Sequence, residues 1–206
     1  MVPPSSIPIF PLPEVILYPG TFLPLHVFEP RYRSMIEYCS ESENEIAIAP
    51  IIPNLKKEEG IGQFAIEEIF GWGKIINKDY LPDGRSNIII EGKGLLELKG
   101  YISTEPFLIG KVEEYKTLPS PLNDSNFQNQ ILNLIHLTKR ILLSDGAPEE
   151  LLVKINQLSR HPYPVDFITS ILHFEFIQKQ AILIEKDPFQ KSELLLSILE
   201  KINLQE

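Results

Sequence analysis

The sequence contains a single cysteine, Cys39, among 206 residues. One cysteine forms no intramolecular disulfide and cannot supply a multi-cysteine zinc site, which favours a reducing compartment. We therefore expect a cytoplasmic location. The N-terminal stretch lacks a basic region before an apolar core, and no apolar run approaches the roughly 18 residues that span a bilayer. We expect neither a secretion signal nor a membrane anchor.

Positive charge is scarce as well. The chain has 19 Lys and Arg against 28 Asp and Glu, a formal net charge of −9 at pH 7. Proteins that hold a phosphate backbone without reading its sequence depend on clustered Lys and Arg. The charge balance therefore argues against nucleic acid as a partner.

Motifs for nucleotide and metal chemistry are missing. No string has the G-x-x-x-x-G-K-(S/T) form of a phosphate-binding loop. Gly92 and Gly94 lack the third glycine of a dinucleotide-binding motif and lie between two strand-like runs, so they predict a hairpin. A helical metal site places two histidines three or four residues apart, a spacing that none of the four histidines shows. We expect no cofactor and no metal.

No catalytic pair of residues can be named either. Cys39 falls on the apolar stripe of a predicted helix without a local base, which indicates a buried structural thiol. The adjacent glutamates at 67–68, 113–114 and 149–150 diverge on a strand or helix, as on solvated faces. The sequence therefore predicts a protein that is not an enzyme.

What the sequence does contain is a proline-rich entry segment, from Ile7 to Tyr38. Two short apolar runs flank a Pro19-Gly20 break, and Pro30 suits the first position of a helix because its ring fixes φ near the helical value. The segment thus predicts a strand, a turn, a strand and a helix. The helix has an apolar face at helical spacing, made of Tyr32, Met35, Ile36 and Cys39.

This entry segment resembles the N-terminal domain of Lon proteases, and more closely the stand-alone bacterial proteins made of that domain alone. The family pattern runs PLFPL, then PG, then LPL-x-(I/V)-FEPRY. The matching residues are Ile9 to Leu12, Pro19-Gly20, Phe22 to Leu25 and Phe28 to Tyr32.

The middle of the chain has the alternation typical of strands and extends the resemblance. Pro82-Asp83-Gly84 predicts a turn, Gly92-Lys93-Gly94 predicts a second reversal, and Phe107 to Tyr115 predicts the closing strand. The run LPDGRSNIIIEGKGLLEL is similar to the corresponding family pattern. The aromatic and basic residues that the family shows near Leu95 and Leu96 are absent here.

Beyond this point the pattern becomes helical. Ser125 and Gln128 have the spacing of a capping box at the start of a long helix, and Pro148, Pro164 and Pro188 mark further helix starts. The tail resembles the helical end of Lon N-terminal domains, with a lysine at position 191 where the family more often has arginine.

These patterns predict an α+β protein. The resemblance implies a PUA-like β-pseudobarrel followed by a C-terminal α-helical bundle. We expect a disordered lead at 1–6, a β-rich subdomain at 7–115, a linker at 116–124 and a helical subdomain at 125–206.

The entry segment also supplies candidate contacts with a partner. Phe22, Leu25 and Phe28 are expected to pack inward, because apolar side chains of a barrel fill its core. Tyr32 and Arg33 are left as candidate surface contacts.

Trp72 and Tyr80 are the other candidates. Most aromatic side chains are core residues, but Trp72 lies between Gly71 and Gly73 at an apparent strand break. The alternatives are therefore a core position and a place in the wall of a surface groove. An aromatic groove beside an open sheet edge suits extended peptide.

The resemblance implies a non-catalytic protein- and peptide-binding module like the substrate-recognition domain of Lon, without ATPase and protease domains. Its expected partners are unfolded or partly folded proteins, with Lon protease itself as a candidate. The rival hypothesis is an RNA-binding PUA-like protein, because architecture alone does not separate the two. The sequence does not indicate an oligomeric state.

Overall fold

The structure is a computed structural model that describes residues 3–52 and 65–203. The chain forms two compact units, the first ending at Tyr115 and the second beginning at Lys116. The first unit holds the strands and the second holds most of the helices, which confirms the predicted α+β class.

The first unit is a six-stranded mixed sheet that closes on itself. Its sheet order is β2-β5-β4-β3-β1-β6, and β6 also pairs with β5, which turns five of the strands into a barrel. The elements are β1 Ser6–Pro13, β2 Phe22–Val27, α1 Pro30–Glu41, β3 Glu45–Ile51, β4 Ile69–Tyr80, β5 Ser86–Ser103 and β6 Leu108–Glu114. The pseudobarrel and the closing role of the last strand are confirmed.

The barrel begins slightly earlier than predicted. β1 starts at Ser6, and the Ser5 carbonyl accepts a hydrogen bond from the Val112 amide. Part of the predicted lead is therefore held by the sheet, because its backbone groups find partners there. Residues 1 and 2 lie outside the described residues.

Helix α1 follows the sequence pattern closely. Pro30 is its first residue, and its buried side chains are the predicted ones, namely Tyr32, Met35, Ile36 and Cys39. They join the apolar core that the barrel forms with side chains such as Ile46 and Ile88. The helix therefore packs by the stripe that its 3.6-residue period creates.

Strands β4 and β5 run through the points where the sequence predicts breaks. The reversal predicted at Gly92-Lys93-Gly94 is wrong, and so is the break around Trp72, because both positions are inside continuous strands. These glycines instead allow another part of the backbone to approach the strands closely. A Cβ at Gly71 would lie 1.8 Å from the Leu17 carbonyl oxygen, and one at Gly92 would lie 2.1 Å from that of Tyr18. The backbone of the β1–β2 connection thus rests directly on both strands.

The second unit consists of five α-helices and a short 3-10 helix within the described residues. They are α2 Ser125–Ser144, α3 Glu149–Asn156, the 3-10 helix Leu158–Arg160, α4 Pro164–Ile171, α5 Phe176–Ile184 and α6 Pro188–Asn203. Side chains from all of these elements form one apolar core, centred on Phe127, Leu134, Ile168 and Leu195. The helical bundle is confirmed.

Most helices start where the sequence predicts, but the residue that caps α2 lies one position earlier than predicted. Pro164 and Pro188 are first residues, and the Asp187 carboxylate caps α6 by accepting from the Phe189 amide at 2.8 Å. Helix α2 is capped by Asp124, whose side chain accepts from the Asn126 and Phe127 amides, and so the capping box predicted at Ser125 is wrong. A carboxylate one residue earlier reaches the free amides of the first turn.

The segment at 116–124 contains no helix or strand, yet it is tied to the second unit. The Leu118 amide donates to the Lys186 carbonyl at 2.9 Å. The Ser120 hydroxyl donates to the Pro162 carbonyl at 2.8 Å. The predicted linker is therefore anchored along its length by backbone groups of the helical unit.

One ion pair is buried in the helical unit. Lys191 on α6 places its Nζ 3.0 Å from the Asp166 carboxylate on α4, and both side chains are almost fully buried. Lys191 also donates to the Leu183 carbonyl at 3.4 Å. Burial raises the pKa of the Asp166 carboxyl, and the Lys191 ammonium offsets part of that rise. The pair therefore joins three helices through one ammonium group.

Replacing Lys191 by Met is expected to destabilise the helical unit by about 3–5 kcal/mol, because it leaves a buried carboxylate without its cation. The native pKa of Asp166 then rises further above its unfolded value of about 3.9. Stability consequently falls as pH rises between those two values, and the loss is larger at pH 8 than at pH 5. Urea denaturation followed by circular dichroism measures it.

The matched control is Lys201→Met, at an exposed position of the same helix, which is expected to change stability by under about 0.5 kcal/mol. Equal losses for the two variants, or a Lys191→Met loss that does not depend on pH, would contradict the structural role of the pair.

Candidate peptide-binding surface

Two of the four residues predicted as partner contacts lie in the core. Tyr32 is only 5% exposed and packs on Phe10 with ring centroids 4.3 Å apart. Trp72 is 4% exposed, and Gly94 of the neighbouring strand leaves room for its indole ring. For Trp72 the core alternative therefore holds, and the prediction that Tyr32 is a surface contact is wrong. Their ring areas complete the barrel core, which is the commoner use of large aromatic residues.

Two of the exposed aromatic side chains belong to strand β2 and the residue that follows it. Burial alternates along the strand, so that Leu23, Leu25 and Val27 turn inward while the residues between them face solvent. Phe22 is 62% exposed and Phe28 is 58% exposed. Leu25 packs inward as predicted, but the inward packing predicted for the two phenylalanines is wrong.

We call this exposed set the β2 surface and define it by Phe22, Pro24, His26 and Phe28. Within it, His26 stacks on Phe28 with ring centroids 6.3 Å apart. The His26 ring is also held by Asn87 of β5, with 2.8 Å between Nδ1 and the amide oxygen. The β2 surface is therefore a preformed strip of mostly apolar side chains.

The neighbouring strands extend this strip. Pro24 lies opposite Ile89 of β5, which lies opposite Asn77 of β4. The register of β4 shifts between Ile75 and Asn77, and the extra residue Ile76 is 52% exposed. A bulge of this kind re-aims a side chain that regular pairing would place elsewhere.

The charged side chains beside the β2 surface are paired among themselves. Glu29 accepts from Arg31 at 2.9 Å, and Glu91 on β5 pairs with Lys93. Strand β2 itself carries no Asp, Glu, Lys or Arg. The strip therefore presents a surface of low net charge, unlike the Lys- and Arg-lined groove that a nucleic acid requires.

Arg33 is a bridge between the end of β2 and the β4–β5 hairpin. Its Nε donates to the Phe28 carbonyl at 2.8 Å, and its Nη1 donates to the Asp83 carbonyl at 3.1 Å. Tyr80, at the end of β4 beside this hairpin, is 58% exposed. Of the predicted contacts, Tyr80 therefore faces solvent, whereas the guanidinium of Arg33 is engaged by backbone.

The hairpin turn itself is strongly specified by its sequence. Gly84 adopts a φ of +80°, and a Cβ there would lie 2.9 Å from Arg33 Nη1. Arg85 donates to the Asp83 carboxylate from both its side chain and its amide, which lowers the pKa of Asp83 to about 2. The predicted turn at Pro82-Asp83-Gly84 is thus confirmed.

Three other features of the described residues bear on function, namely metal ligands, the reactivity of the thiol and the character of the helices. No group of three or more His, Cys, Asp or Glu side chains in 3–52 and 65–203 is arranged to hold a metal ion. Burial raises the pKa of the Cys39 thiol to about 12, which keeps it protonated and unreactive. No helix in the described part of the chain has both the length and the apolar character of a membrane crossing.

Comparison with known proteins gives one consistent result. The family model of the ATP-dependent protease La (LON) substrate-binding domain matches residues 6–201. Lon protease of Cytophaga hutchinsonii is 25% identical over 202 residues, which cover 96% of this chain and 24% of that protein. Lon protease of Escherichia coli K12 is 23% identical over 200 residues, again with 24% of its length covered. The chain spans about a quarter of the length of these relatives.

Solved structures share the fold. The N-terminal domain of a Mycobacterium avium complex Lon protease superposes with a TM-score of 0.71 at 17% identity, and the match covers 95% of this chain and 98% of that one. A Lon N-terminal domain protein from Xanthomonas campestris gives a TM-score of 0.64 at 20% identity, with 94% and 98% covered. The architecture therefore agrees over nearly the whole chain.

Replacing Arg33 by Ala should loosen the hairpin by about 1 kcal/mol, because two backbone carbonyls lose their donor. Hydrogen exchange of the Leu81 and Gly84 amides, both bonded within the turn, is expected to accelerate about fivefold. Arg31→Ala, on the same helix, is the control. Unchanged exchange in Arg33→Ala, or equal acceleration in the control, would contradict the bridging role.

The Asp83 carboxyl is expected to titrate near pH 2 in an NMR experiment on its side-chain carbon. Replacing Arg85 by Ala should move the midpoint up toward about 3.9, since the donor that holds the carboxylate is gone. The stability that the Asp83–Arg85 pair adds to the turn is therefore present above the unfolded pKa of the Asp83 carboxyl. It is lost as the pH falls toward 2. A midpoint that the substitution leaves in place would show that the pair does not form in solution.

Proposed function

The chain belongs to the ATP-dependent protease La (LON) substrate-binding domain family, and from this membership we propose that it is a non-catalytic module that binds unfolded or partly folded proteins and peptides. The family match is to the binding domain alone and not to the ATPase or protease domains. The proposed role is therefore recognition without a chemical step.

The observation that carries the proposal is the exposure of the β2 surface. Phe22 on β2 and Phe28 directly after it are exposed, beside a strand that carries no Asp, Glu, Lys or Arg. Large apolar side chains in such a strip indicate an interaction site. Full burial of a phenylalanine side chain is worth about 1.5–3 kcal/mol, and Phe22 and Phe28 each leave more than half of their surface for a ligand to cover.

The β2 surface also explains which ligands are favoured. A folded protein hides its apolar side chains, whereas an unfolded chain presents them with a free backbone. We propose that apolar side chains of such a chain contact Phe22 and Phe28. Tyr80 is proposed as an additional contact, and Arg33 as a residue that positions the strip by fixing the Phe28 carbonyl.

A permanently unfolded probe tests the proposal. Reduced, carboxamidomethylated α-lactalbumin is suitable because it is acidic, as this chain is, so that charge attraction cannot cause binding. We expect saturable binding by fluorescence anisotropy, weakened about tenfold or more when Phe22 and Phe28 are both replaced by Ser. That change corresponds to about 1.4 kcal/mol or more.

The matched control replaces Leu132 and Leu143 by Ser, two exposed leucines of helix α2, and is expected to bind like the unmodified protein. Equal weakening by both double variants, or no binding of the probe at all, would refute the proposal. A gel shift with structured RNA at low salt checks the rival hypothesis, since salt-sensitive RNA binding would favour it.

A further inference from the structure

We propose that the free edge of strand β2 binds its ligand as an added β-strand, with the ligand backbone hydrogen-bonded to Phe22, Pro24 and His26. This inference rests on the proposed function and goes further, because it assigns the mode of binding and the class of segment that fits. The ligand is an extended segment of another protein, of low charge, with apolar side chains at alternate positions.

The backbone groups of β2 point alternately to the two sides of the strand. The Gly92 amide of β5 donates to the Thr21 carbonyl at 2.9 Å, and Phe22 follows in register opposite Glu91. Hydrogen-bonded pairs alternate along an antiparallel ladder. Leu23, Leu25 and Val27 therefore direct their amides and carbonyls at β5, whereas Phe22, Pro24 and His26 direct theirs to the opposite side.

Among the described residues, nothing is hydrogen-bonded to this opposite side of β2. Within 3–52 and 65–203, β2 pairs with β5 alone, and no backbone or side-chain group bonds to the amides of Phe22 and His26. The free edge thus offers two amides and three carbonyls at the two-residue spacing of a strand. Only an extended backbone matches this spacing, which is the basis of peptide binding by strand addition.

The outward backbone groups of β2 and the side chains of the β2 surface belong to the same residues. The side chains of Phe22, Pro24 and His26 lie on the solvent face, so every second residue of an added strand falls beside them. Apolar residues at those alternate positions gain contact with Phe22 and the Pro24 ring. The absence of charge on β2 favours neutral segments over acidic or basic ones.

Pro24 disfavours a second copy of this chain in the register that overlaps the two free edges most fully. In a symmetric antiparallel pair of β2 strands that brings Phe22 opposite His26, Pro24 faces Pro24. Neither proline has an amide hydrogen, so the two central hydrogen bonds are both lost. A different strand without proline at that position regains one of them, through its own amide and the Pro24 carbonyl.

The same chemistry provides the test. Replacing His26 by Pro removes an outward amide, as Pro24 already does, and leaves the ladder to β5 intact because His26 donates nothing to it. His26→Ala is the matched control, since it removes the ring and keeps the amide. The two variants differ at the edge in one hydrogen-bond donor, in the freedom of φ and in the two additional ring carbons of proline.

Binding is measured with unfolded α-lactalbumin and with a synthetic nine-residue peptide of alternating Val and Thr. We expect His26→Pro to bind at least about fivefold more weakly than His26→Ala. A peptide N-methylated at alternate amides should likewise lose binding to the unmodified protein, and this arm needs no protein variant. Hydrogen exchange of the β5 amides checks that β2 still pairs with β5 in the His26→Pro variant.

Equal binding by His26→Pro and His26→Ala, together with equal binding of the N-methylated peptide, would overturn strand addition. The proposed function would survive that result if the Phe22 and Phe28 double variant still lost binding. If unfolded α-lactalbumin does not bind at all, both proposals fail. A dimer in analytical ultracentrifugation that His26→Pro abolishes would overturn the assignment of a foreign strand as the occupant.

Discussion

The barrel depends on the way strand β5 shares its two edges. One edge pairs with β4 along most of the strand, while the other is divided between β2, at Ser86 to Glu91, and β6, at Leu96 to Ser103. Strand β6 continues the sheet to β1 and closes it, but β2 has no further partner among the described strands. The free edge of β2 is therefore a consequence of barrel closure.

Close backbone approach fixes where that edge lies. The connection between β1 and β2 passes over β4 and β5 with carbonyls in contact with Gly71 and Gly92, positions where any side chain would collide with it. The Gly20 amide then bonds to the Gly92 carbonyl at 3.0 Å just before β2 begins. Because the loop is seated in this way, β2 enters the sheet in a register that turns Phe22 and Pro24 to solvent.

The helical unit buries a pair of charged groups, whereas the β-rich unit exposes apolar ones. In the helical unit a charged pair, Asp166 and Lys191, is buried inside an apolar bundle and joins its helices. At the β2 surface, apolar rings are exposed while adjacent charges neutralise each other. The first arrangement costs desolvation and favours one packing. The second leaves apolar area in water, which a ligand can remove.

Local chemistry controls several elements of the fold, and these are the elements that the amino-acid sequence predicts. Helix α1 follows from Pro30 and an apolar stripe, the hairpin follows from Pro82-Asp83-Gly84, and the family follows from the spacing of its motifs. Each of these depends on neighbours within a few residues, or on a pattern read along the chain.

Which aromatic side chains face solvent depends on how the strands pack together. Trp72 sits between two glycines that resemble a strand break, yet those glycines admit another backbone and the ring is buried. Phe22 and Phe28 are large apolar residues of a kind that cores usually bury, yet both are exposed, and β2 lies at one end of the strand order of the described sheet. Burial depends on contacts between residues far apart in sequence, and the local pattern does not contain them.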